Sequence, residues 1–243
     1  MRKPRVYIDQ ALATGDVITL SEDKRHYLNN VLRIRKHAGL ILFNNTNFEF
    51  DAEIIKLDKK TLCLEILECI EKNHESPLQI TLILSLSQSQ KMDFSLQKAV
   101  ELGVHRIVPI FTEFSKVKLQ ESKLDNKLTH WNNIIISAAE QCGRNRLPEL
   151  CAPISFAEGL QEYEQSTKLI LHPGAEQAMS ALTLADNKLL LILGPEGGFS
   201  DEEINMARQY HCIPVHLGPR ILRAETAVVA GLAVAQQCWG DLN

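Results

Sequence analysis

The sequence contains no hydrophobic run long enough to cross a bilayer. Its longest strongly apolar stretch, AVVAGLAVA at 227–235, has nine residues, whereas a membrane-spanning helix needs about 20. The opening residues, MRKPRVYIDQ, carry charges with no apolar segment behind them and are therefore not expected to be a secretory signal. We predict a soluble, cytoplasmic protein, and its 243 residues allow one large domain or two small ones.

Motifs for metals and for common nucleotide cofactors are also absent. The six cysteines include no C-x-x-C pair and the eight histidines are scattered, so the sequence predicts reduced thiols and no metal site. Neither G-x-G-x-x-G nor G-x-x-x-x-G-K-[ST] occurs. These absences argue against NAD-dependent enzymes and P-loop nucleotidases.

Positive charge is concentrated at the N-terminus of a chain whose net charge is −4. Residues 1–37 carry eight basic and four acidic side chains, and 24–37 contain five basic residues and no acid. Such a block is either a solvated helix face or a contact surface for a phosphate backbone. Under the second interpretation, the candidate RNA contacts are Arg5, Arg25, Arg33, Arg35 and Lys36.

Two patterns of secondary structure divide the chain. Up to about residue 70, short β-rich runs at 5–8, 17–20, 40–43, 49–57 and 61–69 are interrupted by one helix at about 22–34, which is typical of a small barrel. Beyond the polar segment 71–77, predicted strands at 79–86, 106–110, 168–172, 189–193 and 212–217 alternate with predicted helices at 89–102, 123–142, 200–210 and 224–238. This alternation predicts a mostly parallel α/β sheet in a second domain.

Three motifs carry candidate chemistry. Gly194-Pro195-Glu196-Gly197-Gly198 follows a predicted strand, and the capping box of Ser200 and Glu203 marks the start of the next helix. The segment 217–227, LGPRILRAETA, again joins a strand to a helix. A glycine loop after a parallel strand suits ligand binding, although a tight turn requires glycine as well.

The third motif is SAAEQCGRNRLP at 137–148. Glu140 and Arg144 are four residues apart, which also fits a helix-surface ion pair worth only about 0.3–0.5 kcal/mol. Because Gly143 ends the helix, the guanidinium of Arg144 could instead be free to reach a ligand. In that case Arg144→Ala should leave the melting temperature unchanged.

Together with KMDFSLQKAVELGV and an N-terminal H-Y-L-x-x-V-L-R-x-R block, these motifs resemble the ribosomal RNA small subunit methyltransferase E family over essentially the whole chain. The resemblance implies a PUA-like RNA-binding β-barrel at 1–72 and a SPOUT α/β methyltransferase domain at 73–243, with a C-terminal trefoil knot. It also implies methylation of N3 of a uridine in 16S rRNA, S-adenosylmethionine as methyl donor, and a homodimer. Its partners would be 16S rRNA or the small ribosomal subunit.

The resemblance further assigns site residues. Arg144 and Arg223 would stabilise the uracil anion, and Glu140 would orient the base or accept its proton. The donor would contact Leu171, His172, Leu193, Gly194, Glu196, Gly197, Gly198, Leu217, Gly218, Ile221, Leu222, Arg223 and Thr226.

Three other functions remain open at this point. They are a SPOUT enzyme acting on tRNA or on a ribose 2′-hydroxyl, a non-catalytic RNA-binding assembly factor, and an unrelated α/β enzyme for small molecules. The last of these leaves the acid-free segment 24–37 unexplained.

Overall fold

The computed structural model describes residues 3–26, 28–29, 34–58, 60–115, 121–162 and 167–242. Their packing divides the chain into two units. Unit 1 consists of Met1–Glu75 and Ala139–Arg146, and unit 2 consists of Ser76–Ala138 and Leu147–Asn243. The segment Ala139–Arg146 is added to unit 1 by tertiary packing, which no compositional signal in the sequence indicates.

The described part of unit 1 contains a five-stranded sheet and a short helix. Its elements are β1 (Arg5–Tyr7), β2 (Val17–Thr19), α1 (Glu22–His26), β3 (Gly39–Phe43), β4 (Phe48–Leu57) and β5 (Leu62–Glu71). The strand order is β1-β3-β4-β5-β2. All five predicted strands are confirmed. The predicted helix is confirmed at its start, and residues 27 and 30–33 of it lie outside the described part.

The core of unit 1 lies on one face of this sheet. Alternating residues of β4, Phe50, Ala52 and Ile54, are buried, as the two-residue period of a strand requires. Val6 on one edge strand and Ile18 on the other belong to the same cluster. A single core shared by both edges indicates a curled sheet, in keeping with the predicted barrel-like domain.

Unit 2 is built on parallel strands. They are β6 (Gln79–Ser85), β7 (Arg106–Phe111), β8 (Glu149–Leu150), β9 (Ile154–Ser155), β10 (Thr167–Leu171), β11 (Gln177–Ala178), β12 (Lys188–Leu193) and β13 (Ile213–His216). The helices are α2 (Ser89–Glu101), α3 (Leu124–Cys142), α4 (Phe156–Gln161), α5 (Asp201–Gln209) and α6 (Ala224–Trp239), and the last four residues of α3 count with unit 1. Short 3₁₀ turns occur at Glu121–Lys123 and Met179–Ala181. Helix α4 and the two-residue strands were not predicted, because segments this short carry too little periodicity.

The sheet of unit 2 has the order β11-β13-β10-β12-β6-β7-β8, and β9 also pairs with β7. Every pairing among the described strands is parallel, which confirms the prediction of a mostly parallel sheet. Strands β13, β10 and β12 are therefore neighbours that all point the same way. Their carboxyl ends meet at one edge of the sheet.

Helix α6 packs closely against this sheet, as its small residues suggest. A Cβ on Gly231 would lie 3.0 Å from Cδ1 of Leu171, so only glycine fits without movement of that leucine. Gln236 is buried, accepts a hydrogen bond from the Ser76 hydroxyl and donates one to the carbonyl of Leu102. Helix α6 is thereby fixed to both ends of the segment that carries β6 and α2.

Two further predictions concern the cysteines and the trefoil knot. The six cysteines are free thiols, but only Cys212 is buried, where burial raises the pKa of its thiol to about 11. The trefoil knot stays a prediction. Among the described residues, no helix is both long and apolar enough to span a membrane.

Candidate cofactor-binding cleft

A cleft of about 680 Å³ lies in unit 2, at the edge where β10, β12 and β13 end. The loop after each of these strands forms part of its wall. Most of its lining therefore comes from 171–173, 193–199 and 215–224. A volume of this size is in the range of small-molecule and cofactor sites.

All but one of the predicted donor contacts lie together in this wall. They are Leu171, His172, Leu193, Gly194, Glu196, Gly197, Gly198, Leu217, Gly218, Ile221, Leu222 and Arg223. Ile221 lines the cleft with 85% of its surface exposed. Thr226 is also exposed but is not part of the lining, because it is rotated by about 100° around α6 from Ala227, which is.

Backbone geometry explains two of the glycines in these loops. Gly198 has φ +76° and Gly218 has φ +107°, a region that other L-residues rarely adopt. An added Cβ would meet nothing within 4 Å at either position. Both glycines thus present bare backbone to open space in the cleft wall.

The predicted capping box is present after the first glycine loop. The Ser200 hydroxyl accepts from the amide of Glu203, and the Glu203 carboxylate accepts from the amide of Ser200 at 3.0 Å. The other carboxylate oxygen of Glu203 accepts from the amide of Glu113 at 2.9 Å. These bonds fix the beginning of α5, and with it the far end of the glycine loop.

Charged side chains at the cleft come from two helices, α2 and α6, and from the loops after β12 and β13. Lys91 of α2 forms an ion pair with Glu196 of the glycine loop, and its Nζ lies 3.9 Å from Oε2 of Glu225 in the first turn of α6. Arg220 and Arg223 also line the cleft, and both are exposed. Lys91 was not among the predicted site residues, although it lies inside the KMDFSLQKAVELGV block.

Two family models match the chain. The model described as RNA methyltransferase domain matches residues 74–236, and the model described as RNA methyltransferase PUA domain matches 20–67. The ribosomal RNA small subunit methyltransferase E of Buchnera aphidicola from Schizaphis graminum is 43% identical over 243 residues, which are 100% of this chain and 99% of that protein. The chain belongs to the ribosomal RNA small subunit methyltransferase E family.

Solved structures agree with this assignment. A methyltransferase of Legionella pneumophila, solved with bound S-adenosylmethionine, has a TM-score of 0.96 at 40% identity, with both chains fully covered. The ribosomal RNA small subunit methyltransferase E of Neisseria gonorrhoeae, also bound to S-adenosylmethionine, has a TM-score of 0.93 at 36% identity, again over both whole chains. The predicted site residues outside the cleft therefore also belong to a member of this family.

The predicted carboxylate, Glu140, lies in unit 1 with structural partners. Its Oε1 accepts the backbone N–H of Tyr7 at 3.0 Å. Burial raises the pKa of Glu140, opposed by the Tyr7 amide and by the charges of Lys24 and Arg5. Burial also lowers the pKa of Lys24, which donates to the carbonyl of Tyr7. Glu140 thus connects strand β1 to the end of α3.

Arg144 is buried in unit 1, where it is 5% exposed. Its Nε lies 3.2 Å from both carboxylate oxygens of Glu75, so the two side chains form a bidentate pair. The i,i+4 spacing pointed to Glu140 as the partner, but tertiary packing supplies Glu75 instead. The premise of a free guanidinium is therefore wrong, and we now expect Arg144→Ala to lower the melting temperature, because the substitution leaves a buried carboxylate unpaired.

Arg5 is not available as an RNA contact. It is 7% exposed, pairs with buried Glu49, and donates to Oδ1 of Asn145 at 2.6 Å and to the carbonyl of Arg144 at 3.2 Å. Burial alone would raise the pKa of Glu49, but Arg5 and Lys72 outweigh it and the pKa is lowered. Strand β1 thus turns Arg5 inward, where it ties β4 to the turn after α3.

The other predicted RNA contacts differ in exposure. The side chain of Arg25 is only 13% exposed and lies 3.8 Å from Glu22, which leaves little of it for a phosphate. Arg35 and Lys36 are exposed. Arg33 lies outside the described residues, and no group of three or more His, Cys, Asp or Glu that could hold a metal occurs among those that are described.

We predict that Arg144→Ala lowers the free energy of unfolding by about 3 kcal/mol, because breaking a buried ion pair strands one charge. Chemical denaturation followed by circular dichroism measures this loss. Glu75→Gln is the matched variant, since it removes the same pair from the other side. An Arg144→Ala protein as stable as the parent would contradict the structural role of the pair.

Proposed function

We propose that the chain is an S-adenosylmethionine-dependent methyltransferase that methylates N3 of a uridine in 16S rRNA, acting as a homodimer on the RNA or the small ribosomal subunit. The cleft carries this proposal. In a member of the family, the loops after β10, β12 and β13, two of which carry the glycine motif and the LGPRILRAETA motif, form one wall at the carboxyl edge of a parallel sheet, where α/β proteins bind ligands. The relatives solved with S-adenosylmethionine support the choice of donor.

The residues of the cleft fit this donor. Leu171, Leu193, Leu217 and Leu222 provide apolar surface for a purine and a methionine chain, while bare backbone at Gly198 allows close approach. When bound, the donor supplies an activated methyl group on a sulfonium whose departure leaves a neutral thioether. The protein has to align the nucleophile with that methyl group and exclude water.

Uracil N3 becomes a good nucleophile only after it loses its proton. We assign stabilisation of the resulting anion to Arg223, because its exposed side chain belongs to the cleft wall. The catalytic roles of Arg144 and Glu140 stay predictions, since both residues also have structural partners in unit 1. N3 faces inward in a base pair, so the target nucleotide has to be unpaired or flipped out.

Family membership disfavours the unrelated small-molecule enzyme. The well-formed cleft argues against an assembly factor that only binds RNA, because RNA binding alone needs no small-molecule site beside the glycine loops. Methylation of tRNA or of a ribose hydroxyl differs from our proposal in product, and the product decides between them.

We predict that Gly198→Val abolishes S-adenosylmethionine binding, measured by isothermal titration calorimetry. The new side chain would project into the open cleft and strain a backbone with φ +76°. Gly15→Val is the matched control, because Gly15 has φ +90°, equally open surroundings and a position in unit 1. Equal donor affinity in both variants would remove the glycine loop from the donor site.

The reaction itself predicts one product. Incubation of 16S rRNA, free or within small subunits from a strain lacking this protein, should yield 3-methyluridine, detected by mass spectrometry of the digested nucleosides. The Gly198→Val protein should yield none. A ribose-methylated nucleoside, or methyl transfer to tRNA alone, would replace our proposal with one of its rivals.

The exposed basic residues predict the salt dependence of RNA binding. Replacing Arg35 and Lys36 by alanine should weaken rRNA binding and reduce the slope of log K against log salt by about one unit per lost phosphate contact. Lys56→Ala, an exposed charge of unit 1 outside the basic block, should change neither. An unaltered slope in the double variant would leave the block as a solvated face.

A further inference from the structure

Lys91 stands apart from the other described residues that line the cleft. The others lie between 171 and 227, on the loops after β10, β12 and β13 or at the start of α6, whereas Lys91 comes from α2. Helix α2 is firmly anchored, with Met92, Leu96 and Val100 buried, and it packs against α6. Lys91 therefore places a positive charge, held by a well-packed helix, in a wall that otherwise consists of strand ends, loops and the start of α6.

The positive charge of Lys91 is electrostatically unfavourable at its place in α2. It lies in the first turn of α2, where the helix dipole disfavours a cation, and that turn contains no acidic residue. Compensation comes from elsewhere in the fold. Glu196, which pairs with Lys91, is 105 positions away along the chain. A side chain that breaks a local rule and is satisfied only by tertiary partners is a candidate for function.

Glu225 provides a second, independent observation. Its Oε2 is buried and has no hydrogen-bond partner among the described residues, and Nζ of Lys91 lies 3.9 Å from it. Lys91 is thus a cation between two carboxylates, one on the glycine loop and one on the first turn of α6. Without Lys91, the buried Oε2 of Glu225 would lose this cation, and the link between the glycine loop and the start of α6 would be broken.

We propose that Lys91 is a positioning residue for the donor cleft, holding the glycine loop through Glu196 and the start of α6 through Glu225 in the arrangement that binds the donor. This inference rests on the proposed function for the identity of the donor. It assigns Lys91 no contact with the donor and no role in the methyl transfer itself.

The test measures binding by calorimetry, separately from activity. Lys91→Met should weaken the binding of S-adenosylmethionine at least about tenfold, while the circular dichroism spectrum at the assay temperature stays that of the folded parent. Lys91→Arg, which keeps the charge, should bind within about threefold of the parent. Lys98→Met is the matched control, because Lys98 lies on the same helix, pairs with Glu101 and has a similar exposure of 28% against 31%, but does not line the cleft.

Two further measurements separate positioning from direct contact. Adding Glu225→Gln to Lys91→Met should restore most of the lost affinity, because it removes the buried carboxylate charge that has lost its cation. Methylthioadenosine lacks the amino-acid part of the donor. Lys91→Met should weaken the binding of methylthioadenosine as strongly as it weakens the binding of the donor. If only the donor is weakened, Lys91 binds the donor's carboxylate directly and the positioning role is wrong.

Failure of this inference is distinguishable from failure of the proposed function. Parent protein that does not bind S-adenosylmethionine contradicts the proposed function. Parent protein that binds it, together with a Lys91→Met protein that binds it equally well, overturns the positioning role alone.

Discussion

The cofactor cleft depends on the parallel pairing of β13, β10 and β12, because parallel neighbours deliver their carboxyl ends to the same edge of the sheet. Three loops that are distant along the chain therefore become one wall. Their conformations follow from this placement. Gly198 and Gly218 have positive φ because each loop has to turn sharply out of its strand towards the next helix.

Unit 1 depends on a different interaction. It contains two buried ion pairs, Arg5 with Glu49 and Arg144 with Glu75. Arg5 connects the sheet to the turn after α3, because it also donates to the carbonyl of Arg144 and to Oδ1 of Asn145. Asn145 itself donates to the carbonyl of Lys72. Buried charges are costly unless every partner is present, so this network specifies one arrangement of β1, β4 and the turn after α3.

The two units thus use charge in opposite ways. In unit 1 the pairs of Arg5 with Glu49 and of Arg144 with Glu75 are buried, which suits a rigid structure. At the cleft the charged side chains are partly exposed. Arg223, and Lys91 with its partner Glu196, remain accessible to a ligand. Sequence spacing cannot distinguish the two situations, because arginine beside a helix end is compatible with either.

Local signals in the sequence determined most of the elements and the cleft. Strand periodicity, the capping box at Ser200 and the position of the glycine loop after a strand depend only on neighbouring residues. The residues that the family resemblance assigns to the donor line one cleft, with Thr226 as the exception, since its orientation depends on which face of α6 meets the cleft. Tertiary structure alone decided the partners of the charged groups. Arg5 is buried instead of facing RNA, Arg144 pairs with Glu75, and Lys91 joins the cleft. Ion pairs between residues tens of positions apart leave no periodic trace in a sequence, because they form only when the fold brings their elements together.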